Sequence, residues 1–303
     1  MTTWTHGSRA WAVGIVAGVL LLGAHLATGT HLAGDRTEAA SPGEDVDRHL
    51  TVNVTAIECP EDYDNQADDD VCLAYDGQIP GPTFVFAEGQ RVQLEVRHNV
   101  SVTELGADPA AAEKLEQARY TLHRHGVSVA ACEDGVARPR GTQVCDSTIQ
   151  PGGTVTYNFT TRFPGFWHYH DHALGLDVGT THGEEAGAMA EHRGLWGSFL
   201  VVPEDETAGE VLDLHLLDTG PNGGLGLDAN VTAGERFDLV AAGLGDAPWR
   251  VTLTAPDGTT VWREDLGPGV SRGHTVAEAE PGTYTWRAAS PLVGTFEGEV
   301  VAE

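Results

Sequence analysis

From Leu50 onward the apolar residues of this chain fall on every second position, and few folds accept that spacing. Leu50, Val52 and Val54 alternate with Thr51, Asn53 and Thr55; Val92, Leu94 and Val96 repeat the pattern, as do Val155, Tyr157 and Phe159. A period of two sends one set of side chains to one face of a strand and leaves the other set facing water. Gln78-Ile79-Pro80-Gly81-Pro82 and Gln150-Pro151-Gly152-Gly153 interrupt the runs as turns. Strand signals continue at 197–202, 211–217, 237–241, 251–253, 283–287 and 296–301, with Pro256-Asp257-Gly258 as a hairpin turn. Only 109–119 reads as a helix, inserted between strands. Short strands, together with 38 glycines and 15 prolines in 303 residues, predict an all-β chain of antiparallel β-sandwiches. One sandwich is expected over 47–204 and another over 207–303, with Pro203-Glu204-Asp205-Glu206 at the boundary.

The N-terminus reads differently. Residues 11–28 are apolar, with Arg9 just before them, which predicts a signal peptide or a single membrane anchor within 1–30. The stretch sits at the margin of the roughly 20 residues that span a bilayer. Residues 31–46, rich in Ala, Glu, Asp and Pro, read as a linker. The remainder is therefore expected outside the cytoplasm, secreted or held at the membrane by that segment. Four cysteines fit export and allow three pairings. The local pairs Cys59–Cys72 and Cys132–Cys145 are favoured, because each closes a loop without apolar anchors. Metal binding by these thiols is the competing reading, but no Cys has a neighbouring Cys or His at ligand spacing. The formal net charge is −28 and Lys114 is the only lysine. Such a surface repels nucleic acid and anionic lipid, so neither is an expected partner; its plainer reading is a solvated acidic face.

The chemistry lies in the histidines. Tyr120-Thr121-Leu122-His123-Arg124-His125-Gly126 is followed by Gly165-Phe166-Trp167-His168-Tyr169-His170-Asp171-His172. On a strand, residues two apart share a face at roughly 6.6 Å along the chain. His123 and His125 therefore present their rings to one side, as do His170 and His172. Should the two strands come together, four neutral nitrogens converge. Imidazole suits copper, zinc, iron or nickel, with copper(II) bound most tightly by a given site.

The same stretches resemble the multicopper oxidase family. Tyr75-Asp76-Gly77-Gln78-Ile79-Pro80-Gly81-Pro82-Thr83 looks like its opening strand signature, and His123-Arg124-His125-Gly126 like its first copper motif. Phe166 to His172, with Arg193-Gly194-Leu195-Trp196-Gly197-Ser198-Phe199-Leu200-Val201-Val202, resembles the second motif and closing strand. The likeness is greatest to the first domain of small two-domain bacterial laccases, which also carry a later Thr-His-Gly, here Thr181-His182-Gly183. The resemblance implies two cupredoxin-like Greek-key β-sandwich domains, with copper as cofactor. By motif position it implies that His123 binds a type 2 copper and that His125, His170 and His172 bind a type 3 pair. His168 would stand behind the ligands, and a carboxylate such as Asp171 would orient a ring nitrogen. His182 and His192 lie on a Gly-rich acidic stretch and read as surface residues.

The second unit keeps the family's cadence without its ligands. Arg287-Ala288-Ala289 stands where a His-Cys-His run is expected, no cysteine follows residue 145, and only His215 and His274 remain. Met189 makes no convincing axial ligand. Without a thiolate copper the electron relay has no starting point. Three readings stay open. The chain is a copper-binding protein with a partial type 2/type 3 site, or an oxidase completed by a second copper-oxidase subunit, or a structural β-protein whose histidines bind zinc or nothing. A homo-oligomer alone would not restore the missing site, since every copy lacks the same ligands.

Overall fold

The computed structural model describes residues 46–65, 70–105, 109–129, 133–136, 147–173 and 191–303. The apolar N-terminal segment, Cys132, Cys145 and His182 lie outside these residues. No helix among the described residues is long and apolar enough to cross a membrane.

The first lobe contains β1 (Arg48–Glu58), β2 (Val71–Tyr75), β3 (Phe84–Ala87), β4 (Arg91–Asn99), β5 (His123–Arg124), β6 (Ser128–Val129), β7 (Thr154–Thr160), β8 (Gly165–His170) and β9 (Trp196–Val202), with one α-helix, α1 (Pro109–Gln117), inserted after β4. They form two sheets, β2-β1-β4-β7-β6 and β3-β9-β8-β5. The second lobe contains β10 (Glu210–Leu217), β11 (Gly220–Pro221), β12 (Ala229–Val231), β13 (Phe237–Gly243), β14 (Trp249–Thr254), β15 (Thr260–Leu266), β16 (Val270–Val276), β17 (Gly282–Ser290) and β18 (Gly294–Ala302). Its sheets run β11-β10-β13-β16 and β12-β18-β17-β14-β15. The chain is all-β, as the alternation predicts.

The strands are not all antiparallel, which corrects the simplest reading of the pattern. β1 lies parallel to β4, β3 to β9, β10 to β13 and β12 to β18. In each lobe the chain crosses between sheets before returning beside an earlier strand, and the return runs in the same direction. Alternation still decides what is buried. Val52, Val54, Val92, Leu94 and Val96 meet Tyr169, Phe199 and Val201 of the opposing sheet in the first core. Leu212, Leu214, Leu216, Phe237 and Leu239 meet Val251, Leu253, Tyr284 and Trp286 in the second. Cys59 is disulfide-bonded to Cys72, which ties the end of β1 to β2.

Between the cores runs a seam. On β8 and β9, Trp167, Tyr169, Phe199 and Val201 pack inward, so Phe166, His168, Ser198 and Leu200 face out. On β10, β13 and β16 the outward set includes Asp213, His215, Ser271 and Gly273, and these two faces meet. Ser271 donates to the Phe166 carbonyl at 3.0 Å. Ser198 Oγ is hydrogen-bonded to His215 Nε2 at 3.2 Å, and the His215 ring lies 4.5 Å from that of Trp196. Thr83 Oγ1 donates to the carboxylate of Asp213, which burial raises to a pKa of about 6. Gly273 makes the seam close: a Cβ there would stand 2.1 Å from the Phe166 ring. Gly273→Ala should lower the free energy of unfolding by about 1–3 kcal/mol, the usual cost of overpacking. A denaturant midpoint equal to that of the parent protein would show instead that the seam yields without loss.

Candidate metal centre

His123 on β5 stands directly opposite His170 on β8 in an antiparallel ladder. Directly opposed residues share a face of the sheet, and the two ring centroids lie 5.6 Å apart. His125 and His172 follow just beyond the strand ends. Their rings come to 4.8 Å and 5.2 Å from that of His123, and His172 lies 5.4 Å from His170. His125 Nε2 and His170 Nε2 are 3.3 Å apart. His123, His125 and His170 each offer a ring nitrogen within 4.8 Å of the others', the one such group of His, Cys, Asp or Glu among the described residues. His172 borders this trio by ring contact.

The surrounding sequence explains why the rings converge. A Cβ at Gly126 would fall 2.0 Å from the Trp167 ring, so only glycine lets the indole lie across the end of the first motif. Tyr169 alternates inward, and its hydroxyl donates to the Pro82 carbonyl at 2.6 Å. Gly81 and Gly197 leave room for that hydroxyl, each with an ideal Cβ position within 2.7 Å of it. The Pro-Gly-Pro turn thus locks β8 in a register that leaves His168 and His170 on the outer face.

Groups on the far side of His123 and His170 orient those two rings. His123 Nδ1 lies 2.6 Å from the Asp134 carbonyl. A carbonyl can only accept, so Nδ1 carries the hydrogen and the lone pair of Nε2 is left free. His170 Nδ1 lies 3.3 Å from Glu191 Oε1. His168 is fully buried and stacks on His125 with centroids 3.8 Å apart; neither of its ring nitrogens has a hydrogen-bond partner.

Asp171 takes a different place from the one expected. It lies one residue out of phase with His170 and His172, and its carboxylate is taken up by backbone donors. It accepts from the backbone N–H of Thr121 at 2.6 Å and of Ala173 at 3.1 Å, while Thr121 Oγ1 accepts from the His172 N–H at 2.6 Å. Its role is to tie the entry of the first motif to the exit of the second. The carboxylate beside a ring is Glu191, which the sequence reading passed over. Glu191 follows His170 by 21 positions in sequence, and no local pattern marks the pair. His192 stays outside the trio; its carbonyl accepts from the Tyr63 hydroxyl. His215 lies in the seam, and His274 stacks on Trp262 at 6.1 Å.

Burial sets the charge of the site. It lowers the His123 pKa to about 4 and, with repulsion from neighbouring imidazoles, that of His125 to about 3. His172 is lowered by burial, and then by His170. His168 falls well below the ordinary value for the same first reason. His170 rises instead: burial pushes it down, but Glu191 and then Asp171 outweigh that. Burial raises Asp171 to about 7, against the hydrogen bonds it accepts. At neutral pH His123, His125 and His172 are therefore uncharged, the form a metal ion requires.

Fold and rings together define a cupredoxin-like chain that gathers histidine rings at one strand pair of its first lobe. Residues 112–205 match the family model for multicopper oxidase. L-ascorbate oxidase of Cucurbita pepo var. melopepo is 29% identical over 136 residues, covering 45% of this chain and 19% of that protein. Multicopper oxidase MmcO of Mycobacterium tuberculosis is 28% identical over 228 residues, covering 70% of this chain and 40% of that one. The chain thus spans less than half the length of either relative. Among solved structures, a multicopper oxidase shares the fold with a TM-score of 0.54 at 18% identity, covering 89% of this chain and 94% of the other. The copper nitrite reductase of Nitrosomonas europaea does so with 0.53 at 16%, covering 84% and 93%. The multicopper oxidase match thus falls on the stretch that carries the converging histidines, and the fold is shared over most of the chain.

In metal-free protein, His123 should titrate near pH 4 and His125 near pH 3, against about 6.5 for a free imidazole. Between those limits the unfolded chain binds protons that the fold refuses. The stability from these rings is full above about pH 6.5 and is lost as pH falls through the folded values. Asp171 acts in the opposite sense, because the fold takes up its proton first. Ring-proton NMR across a pH series reads the midpoints; a value near 6.5 for either ring would mean that water reaches it freely.

Proposed function

We propose that this chain is an extracytoplasmic copper-binding protein. Its first lobe offers one histidine half of a type 2/type 3 centre, and its second lobe has no type 1 copper. The observation that carries the reading is the convergence of His123, His125 and His170 within 4.8 Å. The donor set fits copper, since it is all imidazole and burial keeps His123 and His125 neutral. The absence of a thiolate site is supported by the second core itself. Ala288 is fully buried there, and Arg287 pairs with Glu297 at 3.5 Å, where a His-Cys-His run would be needed.

Copper, when bound, supplies one-electron redox chemistry. The chain supplies the setting. Asp134 holds His123 with Nε2 free, Glu191 steadies His170 from behind, His168 fills the space against His125, and burial keeps His123, His125 and His172 unprotonated. A second reading has its own support. His123, His125, His170 and His172 remain partly exposed, which leaves room for histidines from another chain to complete an oxidase. The segment at 1–30, read as a signal or anchor, supports placement outside the cytoplasm. The two lobes are proposed as separate cupredoxin-like domains over 47–204 and 207–303.

Purified protein should carry copper with no intense blue thiolate band, and appearance of that band would refute the reading of the second lobe. Replacing His123 and His170 together with Ala should remove most of the copper retained on dialysis; unchanged retention would place the ligands elsewhere. Oxygen consumption separates the two readings: none by the chain alone, with activity on adding a second copper-oxidase subunit, would decide for completion in trans.

A further inference from the structure

Arg124 stands between two of the converging histidines in sequence, but its side chain alternates into the first lobe and is 5% exposed. Its guanidinium lies 4.3 Å from the Tyr157 ring centroid and 5.1 Å from that of Phe159. Nη1 donates to the Leu122 carbonyl at 2.9 Å, and Nη2 donates to the Glu133 carbonyl. Burying a guanidinium is costly, and burial here lowers its pKa to about 10. An apolar side chain of similar size would satisfy packing alone.

What the cation gains is visible one residue further along. The carbonyl after that of Glu133 belongs to Asp134, and it accepts the hydrogen on His123 Nδ1 at 2.6 Å. The same segment is pressed onto the strand that carries the histidines. Gly135 has a φ of 74°, and a Cβ there would lie 2.3 Å from the Leu122 carbonyl oxygen. Val136 N–H donates to Asp134 Oδ1 at 3.1 Å, and the Val136 carbonyl accepts from Ser147 Oγ at 3.3 Å. Tyr157, under the guanidinium, donates its hydroxyl to the Ser147 carbonyl at 2.7 Å.

We infer that Arg124 is a positioning residue: by holding the Glu133 carbonyl it keeps the Asp134 carbonyl on His123 Nδ1, so that His123 offers a single tautomer with Nε2 free. The consequence for metal affinity rests on the copper reading above. The tautomer itself is a property of the metal-free chain and is tested without any metal.

Arg124→Met keeps most of the volume and removes the donors, whereas Arg124→Lys keeps the charge with one donor point. In metal-free protein, long-range proton–nitrogen NMR should show one Nδ1–H tautomer for His123 in the parent and a mixture in Arg124→Met. Amide exchange at 134–136 should rise about tenfold. Copper(II) affinity should fall by about 10–100-fold, the usual effect of removing a group that orients a ligating imidazole, with Arg124→Lys between the two. A folded Arg124→Met with a single tautomer and copper affinity within about twofold of the parent overturns the inference. Should Arg124→Met fail to fold, Arg124→Lys decides, because parent-like tautomer and exchange in that variant overturn it equally. Failure of the parent protein to bind copper would sink the proposed function and leave the tautomer result standing.

Discussion

The pairing of His123 with His170 across β5 and β8 fixes everything else about the site. A ladder only two residues long is weak on its own, and a slip by one residue would send each set of rings to the wrong face. Three constraints outside the pair hold it. Asp171 bonds Thr121 and the residues after β8, Tyr169 anchors β8 to the Pro-Gly-Pro turn, and Trp167 lies over Gly126. Each of them restricts the strands to the one register in which the ring nitrogens of the trio meet.

Charge is handled by withholding it. Three partly buried imidazoles would repel one another if protonated, and burial already disfavours that form. His170 alone is given a carboxylate, and it alone moves upward. The neutral rings then await a cation rather than oppose it. Around them the surface carries a formal charge of −28, which concentrates cations before any ligand is engaged.

Much of the fold could be read from spacing. The alternating runs fall within β1, β4, β7, β9, β10, β13, β14, β17 and β18, and the inserted helix is α1. β2 escaped because its five residues, Val71-Cys72-Leu73-Ala74-Tyr75, are too short a run to show a period. β15 and β16 escaped because their exposed faces carry charge and glycine in place of a clean alternation. The converging histidines were legible because their spacing is local. Glu191, the Asp134 carbonyl and the Arg124 anchor were not, since they depend on chain reversals that no short window records. Asp171 misled for the opposite reason: adjacency in sequence suggested a bond to a ring, and backbone donors take up its carboxylate instead.

The strand that carries His168 and His170 is also the strand that meets the second lobe, through Phe166 seated on Gly273 and Ser271 bonded to the Phe166 carbonyl. No hinge or spacer lies between that contact and the two rings. A substitution at Gly273 or Ser271 would therefore reach His168 and His170 through a single strand, so the packing of one lobe bears directly on the ring spacing of the other.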